Sequence, residues 1–161
     1  MDAPDLIERL THDHLPLTQA VDNLRTLLLQ AREVETFSEV WENIGDVTEL
    51  LRDELLEHFG REEEALFPFV VDALPELGAC VASLESEHDS LCGAVTRLAH
   101  LAQRGQDVLQ EQFSQAQATF ARFETNYLKH AEKERDFLQA IAKGLTPDQR
   151  VALDNATRGL L

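Results

Sequence analysis

Apolar side chains return every three to four residues along nearly the whole chain, and strict period-two alternation is absent. That spacing lines one face of an α-helix and cannot line one face of a strand, so the chain is constrained to an all-α fold. Local capping and breaking signals divide it into four long helices, A to D, and a short tail. Helix A is expected from about Pro4, a residue suited to a first helical turn, to about Arg32, with a kink at Pro16 where one backbone donor is missing. Thr36 followed by Glu39 reads as a capping box opening helix B, which runs to about Glu64 and is interrupted at Phe67-Pro68. Pro75 and Glu76 prepare helix C, which lasts to Arg104-Gly105. Asp107 caps helix D, and Gly144 ends it after Lys143. Thr146-Pro147-Asp148-Gln149 starts a short helix E. Long helices joined by short connections favour antiparallel neighbours, and no Pro/Gly/Ser-rich linker divides the chain. The expected architecture is an up-down-up-down four-helix bundle with a short C-terminal helix, one domain over residues 1–161.

The stripes themselves are interrupted by residues that do not belong in a hydrocarbon core. Residues three, four and seven apart share a helix face, so each histidine can be placed by its company. On helix A, His14 is in register with Ile7, Leu10, Leu17, Val21, Leu24 and Leu28, whereas His12 falls among Arg9, Pro16 and Gln19. On helix B, His58 and Glu62 continue the stripe of Ile44, Val47, Leu51 and Leu55 into Ala65 and Leu66, while Glu63 and Glu64 rotate away. Helix C presents Val81, Leu84, His88, Leu91, Val95 and Leu98 on one face, with His100 on the other. Helix D presents Phe120, Phe123, Tyr127, His130, Glu134, Phe137, Leu138 and Ile141. Each long helix therefore directs one histidine inward, and B and D add a glutamate one turn on.

A buried carboxylate without a partner costs several kcal/mol in desolvation. The inward faces offer no Lys or Arg to pair with Glu62 and Glu134, and neutral imidazoles alone do not neutralise two of them. Bound cations would. Four imidazoles and two carboxylates suit divalent first-row metals, and carboxylates in a bundle core are well placed to bridge a pair. With no CxxC spacing, a structural zinc site is poorly supported. Iron is the leading choice, with manganese or a mixed pair behind it.

Composition narrows the partners. With 30 acidic against 14 basic residues, the surface repels phosphates and anionic bilayers, which argues against nucleic acid and membrane. No stretch approaches the ~20 apolar residues of a membrane span, and MDAPDLIERL has no basic segment leading into an apolar run, so a cytoplasmic protein is expected. Cys80 and Cys92 fall in one helix roughly 18 Å apart along its axis, too far for an intrachain disulfide, and are expected as thiols.

The inward pattern resembles the bacterial hemerythrin-like domains, which carry His, His-x3-Glu, His and His-x3-Glu on four successive helices. Here it stands as Asp13-His14, His58-Phe-Gly-Arg-Glu62-Glu63, Glu87-His88-Asp89 and His130-Ala-Glu-Lys-Glu134. The Leu66-Phe67-Pro68 ending of helix B and the Leu145-Thr146-Pro147 start of the last helix are similar to the family as well. The resemblance covers nearly the whole chain. It implies a non-haem di-iron centre with His14 and His58 on one iron, His88 and His130 on the other, and Glu62 and Glu134 bridging. It further implies a small diatomic or peroxide ligand at an open position.

The chain departs from the oxygen-carrying hemerythrins of invertebrates, which add a fifth histidine one turn along helix C and end in His-x4-Asp. Cys92 stands one turn after His88, and Glu134 keeps the shorter spacing. The position left over falls to water, to Cys92, or to another side chain such as Glu85. For Cys92 a small buried apolar role is favoured over a thiolate on the metal, and for Tyr127 aromatic packing is favoured over a hydrogen bond to a ligand. Three functions follow. The first is a binding protein or sensor for dioxygen or nitric oxide, whose protein partner the sequence does not identify. The second is a di-iron enzyme or iron-handling protein that turns over peroxide, oxidises ferrous iron, stores iron or repairs iron centres. The third is a bundle whose metal is only a staple.

Overall fold

A computed structural model of the chain describes residues 5–32 and 37–157 in full, together with the backbone of 34–36. Among these residues every regular element is helical: α1 (Leu6–Gln30), α2 (Val34–Arg61), a π-helical turn (Glu62–Leu66), α3 (Phe67–Ala73), a 3-10 turn (Pro75–Leu77), α4 (Gly78–Gln103), α5 (Gln106–Glu111), α6 (Phe113–Gly144) and α7 (Pro147–Thr157). The fold is an all-α helical bundle. None of the described helices is long and apolar enough to cross a membrane.

The element boundaries depart from the sequence reading in three places. Pro4 lies outside the described residues; Asp5 closes the start of α1 by accepting the Glu8 N–H at 3.0 Å, and the helix continues through Pro16. The backbone of α2 is already helical at Val34, so Thr36 lies in its first turn rather than at its cap, and the Thr36 side chain lies outside the described residues. The expected interruption at Phe67-Pro68 is replaced by the π turn, in which the Phe67 N–H reaches back five residues to the Glu62 carbonyl. Pro68, which has no N–H to donate, then falls in the first turn of α3, where no intrahelical acceptor is required. Helix D is two elements: Asp107 lies in the first turn of the separate short helix α5, entered through Gly105 at φ 111°, and α6 starts after Gln112. Gly105 is the one described residue in the left-handed region, which a residue with a Cβ occupies only at a cost.

Gly144 is the last residue of α6 and needs no left-handed backbone there. It is small because a Cβ would lie 3.1 Å from a Leu74 methyl. The helix E signature is realised as a reciprocal capping box, with Gln149 N–H donating to Thr146 Oγ1 at 3.1 Å and Thr146 N–H donating to Gln149 Oε1 at 2.9 Å. Replacing Thr146 with Ala is expected to lower stability by about 1 kcal/mol, read as a shift in the urea midpoint with an unchanged slope.

The chain forms two compact units. The first draws on the described parts of 1–14, 56–89 and 129–161, so it brings together the start of α1, the end of α2, the start of α4 and the end of α6. Its core joins Leu6, Leu10, Leu66, Phe67, Leu84, Phe137 and Ile141. The second unit draws on 15–55 and 90–128. There Leu17, Val21, Leu24, Ile44, Leu51, Val95, Leu98, Phe120 and Phe123 are buried, and Phe37 meets Phe113 edge-on at 5.7 Å. Cys92 and Tyr127 belong to this second unit. Tyr127 stacks on Phe123 at 5.8 Å, and its hydroxyl lies 3.3 Å from Thr18 Oγ1.

Candidate metal centre

All six residues singled out by the helical register lie in the first unit. His58, Glu62, His88, His130 and Glu134 are buried, and His14 is half-buried; His12, His100 and Glu85 are exposed. The i, i+4 spacing turns each glutamate onto the imidazole one turn back. His58 Nε2 lies 3.0 Å from Glu62 Oε1, and His130 Nε2 lies 2.8 Å from Glu134 Oε2. The π turn opens at Glu62, and its fifth residue per hydrogen-bonded ring keeps Glu62, Ala65 and Leu66 all facing inward before α3 departs. Such turns inside α-helices recur at functional sites.

Two sets of potential ligand atoms result, each lying within 4.8 Å of one another: His14 with His58 and Glu134, and His88 with His130 and Glu134. Glu134 is common to both. Its Oε1 lies 3.1 Å from His14 Nε2 and 2.9 Å from His58 Nε2. Glu62 joins neither set; its Oε1 stands 3.7 Å from His88 Nε2.

The polar groups do not satisfy one another. Both Glu62 oxygens, Glu134 Oε2, and the Nε2 atoms of His88 and His130 are buried without a hydrogen-bond partner. Native proteins tolerate few such atoms, and each calls for strain, a catalytic role, an ordered water or an ion. This set of imidazole lone pairs and carboxylate oxygens, facing one another and starved of donors, fits divalent cations.

The electrostatics agree. Burial and the neighbouring Glu134 push the Glu62 carboxyl well above the usual range. Burial would also raise Glu134, yet the imidazoles of His130, His14 and His58 hold it well below. His58 is desolvated too, but Asp13, Glu134 and Glu62 overcome that and keep it protonated well above the ordinary histidine value. Burial, with the like charge of His130, drives His88 down to about 3, so it presents a neutral ring at any physiological pH.

Glu62 and His58 thus both hold protons more tightly than free side chains do, and a metal ion bound there would compete with those protons. Because both groups are shifted upward, protons are released on binding and affinity rises with pH, by about tenfold per unit for each proton displaced. Metal titrations at about pH 6 and about pH 8 are expected to differ accordingly, with a binding heat that depends on the buffer's ionisation enthalpy; a pH-independent affinity contradicts this.

The helical register did not identify a second layer of carboxylates. His58 Nδ1 lies 3.4 Å from Asp13 Oδ2, His88 Nδ1 lies 3.3 Å from Glu63 Oε1, and His130 Nδ1 lies 3.4 Å from Glu87 Oε1. Asp13 in turn accepts from Arg61 at 2.8 Å and Glu87 from Lys133 at 2.6 Å. Glu63, read from the sequence as rotated away, is 39% exposed and still reaches an imidazole. The signal was present in the chain, since each of these acids is the sequence neighbour of an inward residue: Asp13 of His14, Glu63 of Glu62, Glu87 of His88. A step of one residue turns about 100° around a helix, enough to bring the acid against the imidazole of an adjacent helix. Phe59 was missed as well: its ring stacks on His88 at 3.7 Å and 6°. Cys92, half-buried and in the second unit, is in neither ligand set.

The hemerythrin HHE cation binding domain model matches residues 5–141 of the chain. No curated protein and no solved structure matches it.

Proposed function

Because the chain belongs to the hemerythrin HHE cation-binding domain family, we propose that it is a non-haem di-iron protein that binds or senses dioxygen or nitric oxide. The observation that carries this reading is the pair of three-residue ligand sets sharing Glu134, lined with buried polar atoms that lack partners. His14 and His58 would hold one ion and His88 and His130 the other, with Glu134 common to both and Glu62 supplying a second carboxylate. A pair of ferrous ions held by these residues would supply the electrons for binding a small diatomic.

The chain's own residues do the rest. Nδ1–H groups donating to Asp13, Glu63 and Glu87 aim the Nε2 lone pairs of His58, His88 and His130 at the centre. Phe59 and Phe67 cover the face of His88, and Phe59 meets His130 edge-on at 5.5 Å, which keeps bulk water from that side. Protein reconstituted anaerobically with ferrous iron and then exposed to oxygen or nitric oxide is expected to develop a ligand-to-metal absorption band that disappears reversibly when the gas is removed. Catalytic loss of added peroxide would instead place it with the di-iron enzymes, and absence of stoichiometric iron would leave only the bundle.

A further inference from the structure

We infer that the two metal positions exchange unequally: the ion held by His14 and His58 is the one that leaves and re-enters, because His14 is the imidazole of the four with no outer carboxylate behind it among the described residues. This rests on the two-ion reading above. His58, His88 and His130 each have Nδ1 within 3.3–3.4 Å of a carboxylate oxygen, and their side chains are 2–3% exposed. His14 has no such carboxylate among the described residues. Its Nε2 faces Glu134 at 3.1 Å, its ring touches that of His58 at 5.1 Å, and its side chain is 19% exposed.

An ion is released when its protein ligands turn away one after another and water takes their places. For His88 that movement breaks the bond to Glu63 and unstacks the ring from Phe59 and Phe67. For His130 it breaks the bond to Glu87, which Lys133 holds in place. His14 needs only to rotate its partly exposed ring toward solvent. Carboxylates behind metal-bound imidazoles are worth about 10–100-fold in affinity, so release from the two positions should differ by at least about tenfold. Asp13, Glu63 and Glu87 are positioning residues here: Asp13 serves the exchanging position through His58, whereas Glu63 and Glu87 serve the retained one.

The test loads the full chain anaerobically with ferrous iron, mixes it with excess ferrous chelator, and follows the absorbance of the chelate. Two phases of equal amplitude are expected. Asp13→Asn should accelerate only the fast phase, and Glu63→Gln or Glu87→Gln only the slow one, whereas a merely structural role would move both together. His14→Gln should remove the fast phase and leave one slowly released ion; if that variant does not fold, the three carboxylate variants decide the matter. Release of two ions in a single phase, or loss of the slow phase in His14→Gln, overturns the unequal exchange while leaving the two-ion reading intact. Wild-type protein that takes up fewer than two ions overturns that reading and the inference with it.

Discussion

Glu134→Gln abolishes binding of both metal ions, the largest functional effect expected of any single substitution in the chain. Glu134 is the one carboxylate common to the two ligand sets, so the amide removes a ligand and a negative charge from both positions at once. Glu62→Gln should weaken binding less, because Glu62 belongs to neither set and contributes through its closeness to His58. The double variant Glu62→Gln/Glu134→Gln should bind no metal pair yet keep a largely helical circular dichroism spectrum. Removing two buried acids relieves desolvation and mutual repulsion in the metal-free protein, and breaking up such a cluster wholesale costs far less than orphaning one member. Elemental analysis and far-ultraviolet circular dichroism of the same preparation read both outcomes. Two metal ions retained by the double variant would contradict the ligand assignment.

Phe59→Ala is expected to cost about 3–5 kcal/mol of metal-free stability, a large share of the total for a domain of this size. Phe59 is 4% exposed and lies flat on His88, with a second contact to His130. Its removal leaves a cavity between two imidazoles that have no Nε2 partner of their own, and close-packed surroundings refill such a space only in part. Phe59→Leu restores most of the volume but not the stacked face, so it should recover most of the stability while His88 stays less well oriented. Urea denaturation of the metal-free proteins gives the first quantity, and metal affinity of the same variants gives the second. A loss below about 1 kcal/mol for Phe59→Ala would mean that the site collapses onto the gap.

How much was legible beforehand depended on whether a property was local to one helix. His14, His58, Glu62, His88, His130 and Glu134 could be placed because a 3.6-residue period ties each to the apolar residues of its own stripe, and five of the six are buried. The capping box at Thr146 was legible for the same reason, since all its atoms lie within four residues. The π turn was not. Pro68 announces that an α-helical hydrogen bond is missing, but whether the chain breaks or inserts a residue depends on what Glu62, Leu66 and Phe67 gain by facing inward together. The split of helix D failed similarly: Asp107 is a plausible cap, and nothing adjacent to it shows that Gln112 will end the first short helix.

Taken alone, the chain determined an all-helical fold and one inward histidine per long helix, two of them followed by a glutamate, because helical periodicity and the cost of burying a carboxylate are properties of residues in order. Only the tertiary structure decided which acid sits behind which imidazole, that Glu134 rather than Glu62 is common to both sets, and that among the described residues His14 has no carboxylate behind it. Those are distances between different helices, set by how their side chains interlock, and no spacing along a single helix encodes them.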